Sequence, residues 1–455
     1  MNKIEIFFNS TKTFFILPDF KKLTYKNFYN KSLNFAKYYQ NQLRFKKNKT
    51  VFLRMERTVD FYIAFIGLTL LEATIVPVSK KINSSEVLYL RKIYKPILEI
   101  NSLPANINKL QNENFSIGRN FLKNAKVIFF SSGTTGKPKG IRHNIFTLVE
   151  SAKNFSKLSR YKKEDIILHN WPHYYMAGFF NMFLCPLISG CTIYFDEEIG
   201  INTYLRYWQE IKKNKISLAY LSPTMSKALI NYSKYNKFNY KNNKIRIIST
   251  GSYLYQSIYK EFKDIFNIRL LNCYGVTEIG ASIGLTNKNS HNSIGSLSKG
   301  ISIKLSKKNE ILVNSKYLFE GYVLNNNVIK KFRSKFFNTH DLAIKKNSDY
   351  FIIGRNKEII KKGGEQVSLL KIEDAALYFQ GIKEVLAKGV KSVFWGEDIH
   401  LEIVVDKKIK EKELFLSKFS LFLSQKLTRL EIPSKISYVK SIRKTSIGKN
   451  YRRIF

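Results

Sequence analysis

One stretch of the chain joins a short apolar strand to a loop rich in glycine, hydroxyl and lysine side chains. The predicted strand covers residues 127–130, and the loop at residues 131–140 reads Ser-Ser-Gly-Thr-Thr-Gly-Lys-Pro-Lys-Gly. Glycines allow successive backbone N–H groups to turn toward one anion, hydroxyls add hydrogen-bond donors, and lysines add positive charge. The stretch therefore predicts a polyphosphate site at the end of a buried strand.

The spacing argues against one other interpretation of this loop, and the residues alone leave a second one open. A Walker A loop needs four residues between its glycines and a Ser or Thr after its lysine. Here two residues separate Gly133 from Gly136, and Pro138 follows Lys137. A flexible surface loop is the other interpretation, because Ser, Thr, Gly and Pro clusters commonly mark loops. The rest of the chain has to decide between them.

The length and the charge of the chain limit the number of domains and the partners that we expect. At about 150 residues per domain, 455 residues predict roughly two to four folding units. The net charge of +43 would attract nucleic acid, anionic lipid or polyphosphate. The lysines, however, are spread along the whole chain with many Asn, Ile, Phe and Tyr residues, as an AT-rich coding sequence would produce. We therefore predict no nucleic-acid partner.

Cysteine usage and apolar runs predict a cytoplasmic protein. The three cysteines have neither zinc-ligand spacing nor the even count of a disulfide framework. The longest apolar stretch, residues 61–78, contains Glu72 within it and Pro77 close to its end. A buried helix that runs into a strand is preferred there over a membrane span. No transmembrane segment is predicted.

Three further motifs follow the loop along the chain. Residues 272–278 read Asn-Cys-Tyr-Gly-Val-Thr-Glu after an apolar strand, residues 354–364 begin with Gly-Arg and end with Gly-Gly, and residues 445–449 read Thr-Ser-Ile-Gly-Lys. In this order, the four motifs resemble those of the AMP-forming adenylating enzymes. That superfamily contains acyl-CoA synthetases, peptide-synthetase adenylation domains and beetle luciferases.

The resemblance implies an α/β fold with two domains. Residues 1–355 would form a large layered N-terminal domain, made of two α/β subdomains and a small β-barrel. Residues 356–455 would form a smaller, mobile α+β C-terminal domain that carries a catalytic lysine. The alternation of predicted strands and helices in the first part of the chain agrees with this division.

The resemblance also assigns roles to individual residues. The catalytic residues would be Lys449, Thr277 and Glu278, and Glu278 would also be the magnesium ligand. The phosphate loop would use Ser131, Ser132, Gly133, Thr134, Thr135, Gly136, Lys137 and Lys139. The nucleotide would contact Gly251, Ser252, Asn272, Tyr274, Gly275, Asp341 and Arg355. The acyl pocket would involve Tyr175, Gly178 and Phe179, the hinge Lys357, and the thiol arm Gly363 and Gly364.

Two positions depart from the family pattern. His340 stands where the family has the glycine of Thr-Gly-Asp, and Arg443 replaces a proline near the C-terminus. A ring at position 340 could block the freedom or close approach that glycine provides. These departures would suit an inactive nucleotide-binding protein that keeps the fold, whereas Lys449, Glu278 and Asp341 are present as the active family has them.

The resemblance predicts an AMP-forming acid–thiol ligase. It would use ATP and Mg²⁺ to convert a carboxylic acid to acyl-AMP and pyrophosphate, and then transfer the acyl group to coenzyme A. The alternative acceptor is the phosphopantetheine of an acyl carrier protein, which is usually acidic. Between Asn170 and Leu184 there is no Asp or Glu to pair with a substrate amine, which argues for a non-amino acid.

Overall fold

Strands and helices make up similar shares of the regular structure. The computed structural model describes residues 9–41, 44–105, 107, 117–131, 139–236, 244–286, 289–324, 329–406, 409 and 411–444. The strands are β1 (Thr13–Ile16), β2 (Lys22–Thr24), β3 (Thr50–Leu53), β4 (Thr74–Pro77), β5 (Leu98–Ile100), β6 (Lys126–Ser131), β7 (Lys139–Asn144), β8 (Ile166–His169), β9 (Thr192–Phe195), β10 (Leu218–Leu221), β11 (Arg246–Ser249), β12 (Leu270–Val276), β13 (Ala281–Leu285), β14 (Ser296–Leu297), β15 (Ile301–Leu305), β16 (Glu310–Ser315), β17 (Gly321–Val323), β18 (Ile329–Lys331), β19 (Phe337–Lys346), β20 (Asp349–Arg355), β21 (Ile359–Lys362), β22 (Glu365–Ser368), β23 (Ile382–Ser392), β24 (Gly396–Val405) and β25 (Lys435–Tyr438).

Helices alternate with strands through the first two thirds of the chain. They are α1 (Tyr25–Asn41), α2 (Val59–Leu70), α3 (Ser84–Tyr94), α4 (Phe121–Asn124), α5 (Ile145–Leu158), α6 (Met176–Phe179), α7 (Cys185–Ser189), α8 (Ile201–Lys213), α9 (Pro223–Asn236), α10 (Gln256–Phe266), α11 (Leu369–Leu377) and α12 (Lys412–Lys426). A π-helical turn, Phe180–Leu184, joins α6 to α7, and short 3₁₀ turns lie at Thr277–Ile279, Asn356–Glu358 and Arg429–Glu431.

The first large sheet brings several predicted site residues to one edge. Among the described residues it has nine strands in the order β14-β13-β12-β11-β10-β8-β9-β1-β2. The central strands β8 to β12 pair in parallel, and β9 and β10 are buried along their whole length. Parallel strands end at the same edge, which is where α/β proteins bind ligands. The segments that follow β8, β10 and β11 and the end of β12 therefore converge.

A second described sheet contains the strands that flank the predicted phosphate loop. Its order is β18-β17-β7-β6-β4-β3-β5, and β5, β3, β4 and β6 are parallel. Strands β6 and β7 pair antiparallel as a hairpin. The connection between them, residues 132–138, lies outside the described residues. The loop is thus attached to an ordered sheet through both of its flanking strands.

The apolar stretch at residues 61–78 forms most of helix α2 and the strand β4. The helix packs on β3 and β4 of the second sheet, and its Tyr62 hydroxyl bonds to Nε2 of His169 at the end of β8, 2.5 Å away. Glu72 follows the helix, is buried, and pairs with the Lys47 ammonium at 3.0 Å. The prediction of a buried helix followed by a strand is confirmed. Within the residues that the structure describes, no helix combines the length and apolar character needed to cross a membrane.

Two smaller sheets complete the described architecture. The first is antiparallel, has the order β15-β16-β19-β20, and lies in the part of the chain where a small barrel was predicted; its described strands form a four-stranded sheet in which β15 and β20 are not paired. The second contains β21 to β25, with α11 and α12 beside it, and forms the predicted α+β C-terminal domain. The α/β class and the combination of a large N-terminal with a smaller C-terminal domain are confirmed. The boundary after Arg355 stays a prediction.

The two domains touch where side chains of α11 meet the N-terminus of α10. The Asp374 carboxylate of α11 accepts hydrogen bonds from the backbone N–H groups of Gln256 and Ser257, at 3.2 and 3.0 Å, and from the Ser257 hydroxyl at 2.8 Å. It thereby caps the N-terminus of α10 from the other domain, where an anion is favoured. The neighbouring Glu373 accepts from the Tyr255 hydroxyl. We call these contacts the interdomain cap.

Candidate active site

Three of the predicted nucleotide-binding residues form one hydrogen-bonded group. The register of β19 and β20 places Asp341 opposite Arg355, and Arg355 Nε donates to Asp341 Oδ1 at 2.5 Å. The Tyr274 hydroxyl, from the end of β12, donates to Asp341 Oδ2 at 2.8 Å. Asp341 raises the pKa of Arg355, and burial together with this carboxylate raises the pKa of Tyr274 well above its ordinary value. Asp341 is thus a buried acceptor for two donors.

The turn after β12 sets Thr277 and Glu278 beside this group. Its backbone bends at a bulge between Tyr274 and Gly275, where a Cβ on residue 275 would lie 1.9 Å from the Ala281 carbonyl oxygen. Only glycine fits such a close approach of two backbones. Thr277 and Glu278 then lie half-buried on a 3₁₀ turn.

The Glu278 carboxylate has a chemistry that suits Mg²⁺. Its Oε1 accepts a hydrogen bond from the Tyr322 hydroxyl at 3.1 Å, while Oε2 has no hydrogen-bond partner among the described residues. Magnesium prefers oxygen ligands and is usually held by one or two carboxylates together with substrate phosphates and water. No cluster of three or more metal-ligating side chains exists in the described ranges. The donor set therefore fits a cation that takes its remaining ligands from a polyphosphate.

Lys139 is the member of the predicted phosphate loop that the structure describes beyond its backbone. Its Nζ lies 5.8 Å from the centroid of the Tyr322 ring, within cation–π range. The next residue, Gly140, faces the Tyr94 hydroxyl, which a Cβ there would meet at 2.2 Å. Ser131 is described only as the last residue of β6. The residues Ser132, Gly133, Thr134, Thr135, Gly136 and Lys137, and the catalytic candidate Lys449, lie outside the described residues.

The predicted hinge residue lies near the same cations. Partial burial, and then the positive charges of Arg355 and Lys139, lower the pKa of Lys357. Positive charges that lower one another's pKa are close together, and an anion placed among them would be attracted by all three. This part of the fold thus combines two carboxylates, Glu278 and Asp341, with nearby lysine and arginine side chains.

The predicted acyl pocket divides into two environments. Gly251 has φ +94°, and a Cβ there would lie 3.4 Å from the buried Trp171 ring, which stacks 6.2 Å from Tyr175. Gly178 packs so closely on the Pro172 carbonyl that a Cβ would approach it to 2.5 Å. The Phe179 ring, in contrast, packs among the core rings of Phe65, Phe129 and Phe183. Tyr175 and Gly251 share one surface, which Phe179 does not reach by any described contact.

Other predicted residues have contacts that support the site from outside. The Asn272 side chain is buried and donates to the Ser293 carbonyl at 3.0 Å, which fastens β12 to the next loop. Ser252 follows Gly251 at the surface. Gly363 and Gly364 form the turn between β21 and β22, where Gly363 N–H donates to the Trp395 carbonyl at 3.0 Å. Their described contacts all lie in the C-terminal domain.

His340 adopts the backbone conformation that its position requires. Its φ is +59°, the left-handed region in which the family has glycine. The ring is 69% exposed and lies 3.3 Å from Glu310 Oε1 through Nδ1. The sequence suggested that this ring could obstruct the nucleotide, but the described contacts direct it to solvent.

We expect His340→Gly to raise the free energy of unfolding by less than about 1 kcal/mol and to leave the KM for ATP unchanged. Glycine removes the left-handed strain of roughly 1–2 kcal/mol but adds backbone freedom to the unfolded chain, and these effects nearly cancel. His340→Val is the matched control, since a β-branched residue at positive φ should destabilise the protein. Urea unfolding measures the stability of each variant, and steady-state kinetics at increasing ATP measures the KM. A several-fold lower KM in the glycine variant would contradict the expectation.

Sequence reasoning missed Tyr322 and Tyr94, which hold Glu278, Lys139 and Gly140 in place. A tyrosine in a short strand gives no local signal of such a contact, because its partners belong to distant segments. The sequence signal that could have indicated these contacts is Gly321, because glycine in a strand often marks a close approach of another backbone. It has φ +154°, and a Cβ would lie 2.3 Å from the Lys330 carbonyl, so the strand must pass close to its neighbour there.

Comparison with known proteins finds a family match over part of the chain. The family model described as AMP-binding enzyme matches residues 104–323, which include the phosphate loop and the Tyr274 to Glu278 turn. Just under half of the chain therefore matches this family model. The chain is 26% identical over 388 residues to a malonate–CoA ligase of Arabidopsis thaliana, across 78% of its own length and 64% of that protein. It is 23% identical to a 2-succinylbenzoate–CoA ligase of Staphylococcus epidermidis, across 95% and 92% of the two chains.

Solved structures of adenylate-forming ligases agree with this chain in fold. The anthranilate–CoA ligase AuaEII, in complex with anthranoyl-AMP, has a TM-score of 0.87 at 17% identity, with 99% and 95% of the chains covered. ATP-bound MatB from Rhodopseudomonas palustris has a TM-score of 0.84 at 17% identity, with 99% and 97% covered. At that identity the likeness establishes the fold alone. The chain spans slightly under two thirds of the plant and bovine malonate–CoA ligases that it matches, 64% and 65%.

Proposed function

We propose that this protein is an AMP-forming acid–thiol ligase. It joins a carboxylic acid to ATP, giving acyl-AMP and pyrophosphate, and then transfers the acyl group to the thiol of coenzyme A. The observation that carries the proposal is the assembly at the strand ends: Arg355, Asp341 and Tyr274 in one hydrogen-bonded group, and Glu278 in the adjoining turn. Acidic ligands for ribose and cation thus lie beside basic ligands for phosphate.

The chemistry needs position and charge rather than a nucleophilic side chain. A carboxylate is a poor acyl donor because its leaving group would be oxide, and coupling to AMP supplies a better one. When its oxygen attacks the α-phosphorus, negative charge accumulates on the phosphate. Mg²⁺ bound at Glu278 would help to neutralise this charge, and we assign Lys449 and the Thr277 hydroxyl to the same phosphate. The phosphate loop then takes the pyrophosphate.

Asp341 keeps enough acceptor capacity to bind a ribose. An ionised carboxylate offers about four lone-pair directions, and Arg355 and Tyr274 each use one. Two directions remain for the two ribose hydroxyls. Arg355 itself is half exposed, so part of its guanidinium faces solvent and could meet a phosphate. The predicted contacts of Gly251, Ser252, Asn272 and Gly275 with the nucleotide belong to the same proposal.

The substrate that we propose is a non-amino carboxylic acid. The segment after β8, with Trp171 and Tyr175, presents aromatic and apolar side chains beside Gly251. It has no acidic residue between Asn170 and Leu184 to pair with an amine. The relatives are named for malonate and 2-succinylbenzoate, which are also non-amino acids.

Coenzyme A is the acceptor that we propose, and the protein would work in the cytoplasm. The named relatives are coenzyme A ligases, which supports this choice. An acidic acyl carrier protein is the second candidate, because one structural neighbour is an adenylation domain joined to a carrier protein and the net charge here is +43. We also propose that the domains divide after Arg355, that Lys357 is the hinge, and that Gly363 and Gly364 meet the thiol arm.

We expect pyrophosphate release from ATP and Mg²⁺ that depends on an added carboxylic acid and increases with coenzyme A. Release is measured across a panel of mono- and dicarboxylic acids, with and without coenzyme A. Lys449→Ala should lower the release by at least about 100-fold, since it removes a charge that acts on the transition state.

Three outcomes would contradict the proposal or a part of it. The first is pyrophosphate release that requires a phosphopantetheinylated carrier protein, whichever acid is added. That result would identify the carrier protein as the acceptor. No release with any acid, from an enzyme that binds ATP, would favour a nucleotide-binding protein without ligase activity. Release that is equal in the Lys449→Ala variant would exclude the catalytic role of that residue.

A further inference from the structure

The segment from Phe319 to Tyr322 holds both ends of Glu278. The Phe319 N–H donates to the backbone carbonyl of Glu278 at 2.8 Å, and the Tyr322 hydroxyl donates to its Oε1 at 3.1 Å. A backbone bond fixes where the residue lies, and a side-chain bond fixes the direction of its carboxylate. Glu278 is therefore oriented by a segment of chain that follows the turn by some forty residues.

The same segment is attached to the strand that leaves the phosphate loop. Tyr322 lies opposite Ile141 in the antiparallel pair of β17 and β7, and Glu320 N–H donates to the Arg142 carbonyl at 2.8 Å. The Glu320 carboxylate also pairs with Arg142 Nε at 2.8 Å. The Tyr322 ring faces Lys139, which ends the loop. One tyrosine thus contacts the carboxylate and a loop lysine at once.

The contact fixes the direction of the carboxylate and leaves it free acceptor positions. Tyr322 uses one lone-pair direction of Oε1, and Oε2 has no partner among the described residues. A carboxylate held in this way presents Oε2 in a fixed direction, whereas a free glutamate would sample several rotamers. Partners of this kind around metal ligands typically change metal affinity or activity by 10–100-fold when they are removed.

We propose that Tyr322 is a positioning residue, which orients Glu278 toward the divalent cation of the nucleotide and keeps Lys139 beside it. The inference rests on the proposed function, in which Glu278 holds the cation. A tyrosine hydroxyl has an ordinary pKa near 10, so it is a hydrogen-bond donor at neutral pH. The phosphate loop and the cation site are then aligned by one side chain rather than independently.

Tyr350 provides a matched control, because it makes the same two kinds of contact elsewhere. Its hydroxyl donates to the Ile303 carbonyl at 3.0 Å, and Lys345 Nζ lies 5.8 Å from its ring centroid. It belongs to β20 and has no described contact with Glu278 or Lys139. A tyrosine that merely stabilises the fold should behave as Tyr350 does when its hydroxyl is removed.

The test compares Tyr322→Phe with Tyr350→Phe and the unmodified protein. Binding of Mn·ATP without any acid is measured by isothermal titration calorimetry, and thermal unfolding is followed with and without Mg·ATP. We expect Tyr322→Phe to bind Mn·ATP about 10–100-fold more weakly. Without a divalent cation, ATP should bind Tyr322→Phe and the unmodified protein with equal affinity. Tyr350→Phe should match the unmodified protein in its affinity for Mn·ATP and for ATP alone.

Equal Mn·ATP affinity in Tyr322→Phe and the unmodified protein would overturn the inference. So would a further loss when Tyr322→Phe is added to Glu278→Gln, because a residue that acts through Glu278 should have little additional effect there. If Tyr322→Phe unfolds, Tyr322→His keeps a donor and a ring and should recover part of the affinity. Failure of the unmodified protein to bind Mn·ATP would instead count against the proposed function.

Discussion

Asp341→Ala is expected to lower kcat/KM for ATP by about 10²–10³-fold, chiefly through KM. Truncating one partner of a buried, hydrogen-bonded charge pair costs about 2–5 kcal/mol in binding. Asp341 is 4% exposed, accepts from Arg355 and Tyr274, and would lose its two remaining acceptor directions for the ribose. ATP titration by calorimetry and steady-state kinetics measure the change.

Loss of fold does not account for this expected effect. Arg355 is 50% exposed, so without Asp341 it returns to water, and the Tyr274 hydroxyl still reaches Thr339 Oγ1 at 3.1 Å. Asp341→Asn keeps the size and one acceptor and should recover part of the affinity. If the alanine variant is stable to urea and its KM for ATP lies within a factor of two of the original, Asp341 does not bind the nucleotide.

A fall in pH from 7.5 to 5.0 is expected to reduce the free energy of unfolding by several kcal/mol. Burial lowers the pKa of His143 to about 4 and that of His173 to about 3, and it lowers the pKa of His169 well below the ordinary value. The unfolded chain protonates its histidines near pH 6.5. Stability is therefore complete above pH 6.5 and falls as pH decreases toward the folded-state values, since the unfolded state binds more protons.

The size of the acid effect follows from the slope. Each such histidine contributes about 1.4 kcal/mol per pH unit below 6.5, or roughly 2 kcal/mol at pH 5. Urea unfolding at the two pH values measures the sum. His173→Phe, which keeps a ring against Phe61 in the same core, should reduce the loss by roughly 2 kcal/mol. Equal urea midpoints at both pH values would show that these histidines are protonated or exposed in the folded protein.

The parts of the site that are local in sequence were predictable, and those that depend on pairing were not. Residues 272–278 lie at a strand end in the structure as the pattern predicts, because an apolar run followed by small and polar residues marks the edge of a parallel sheet. Asp341 and Arg355 were each predicted, but their ion pair depends on the register of β19 and β20. That register includes a bulge between Leu342 and Ala343, which no local pattern reveals.

Phe179 and Tyr322 illustrate the same limit from opposite directions. Phe179 follows Gly178 in the predicted acyl segment, but adjacent residues on a helix point about 100° apart, and its ring faces the core. Its role in the acyl pocket stays a prediction. Tyr322 had no predicted role, because its contacts need β17 to pair with β7, which lies far earlier in the chain.

The interdomain cap has a consequence for how the protein changes shape. The groups that its bonds join can each bond to water instead, so every bond adds only about 1–3 kcal/mol to the docked arrangement. Their directions, however, are strict, because backbone N–H groups at a helix end accept an anion from one side only. A contact of this kind fixes the angle at which the C-terminal domain docks without making that docking hard to leave. The interdomain cap therefore determines the orientation of the docked C-terminal domain more than the affinity of its docking.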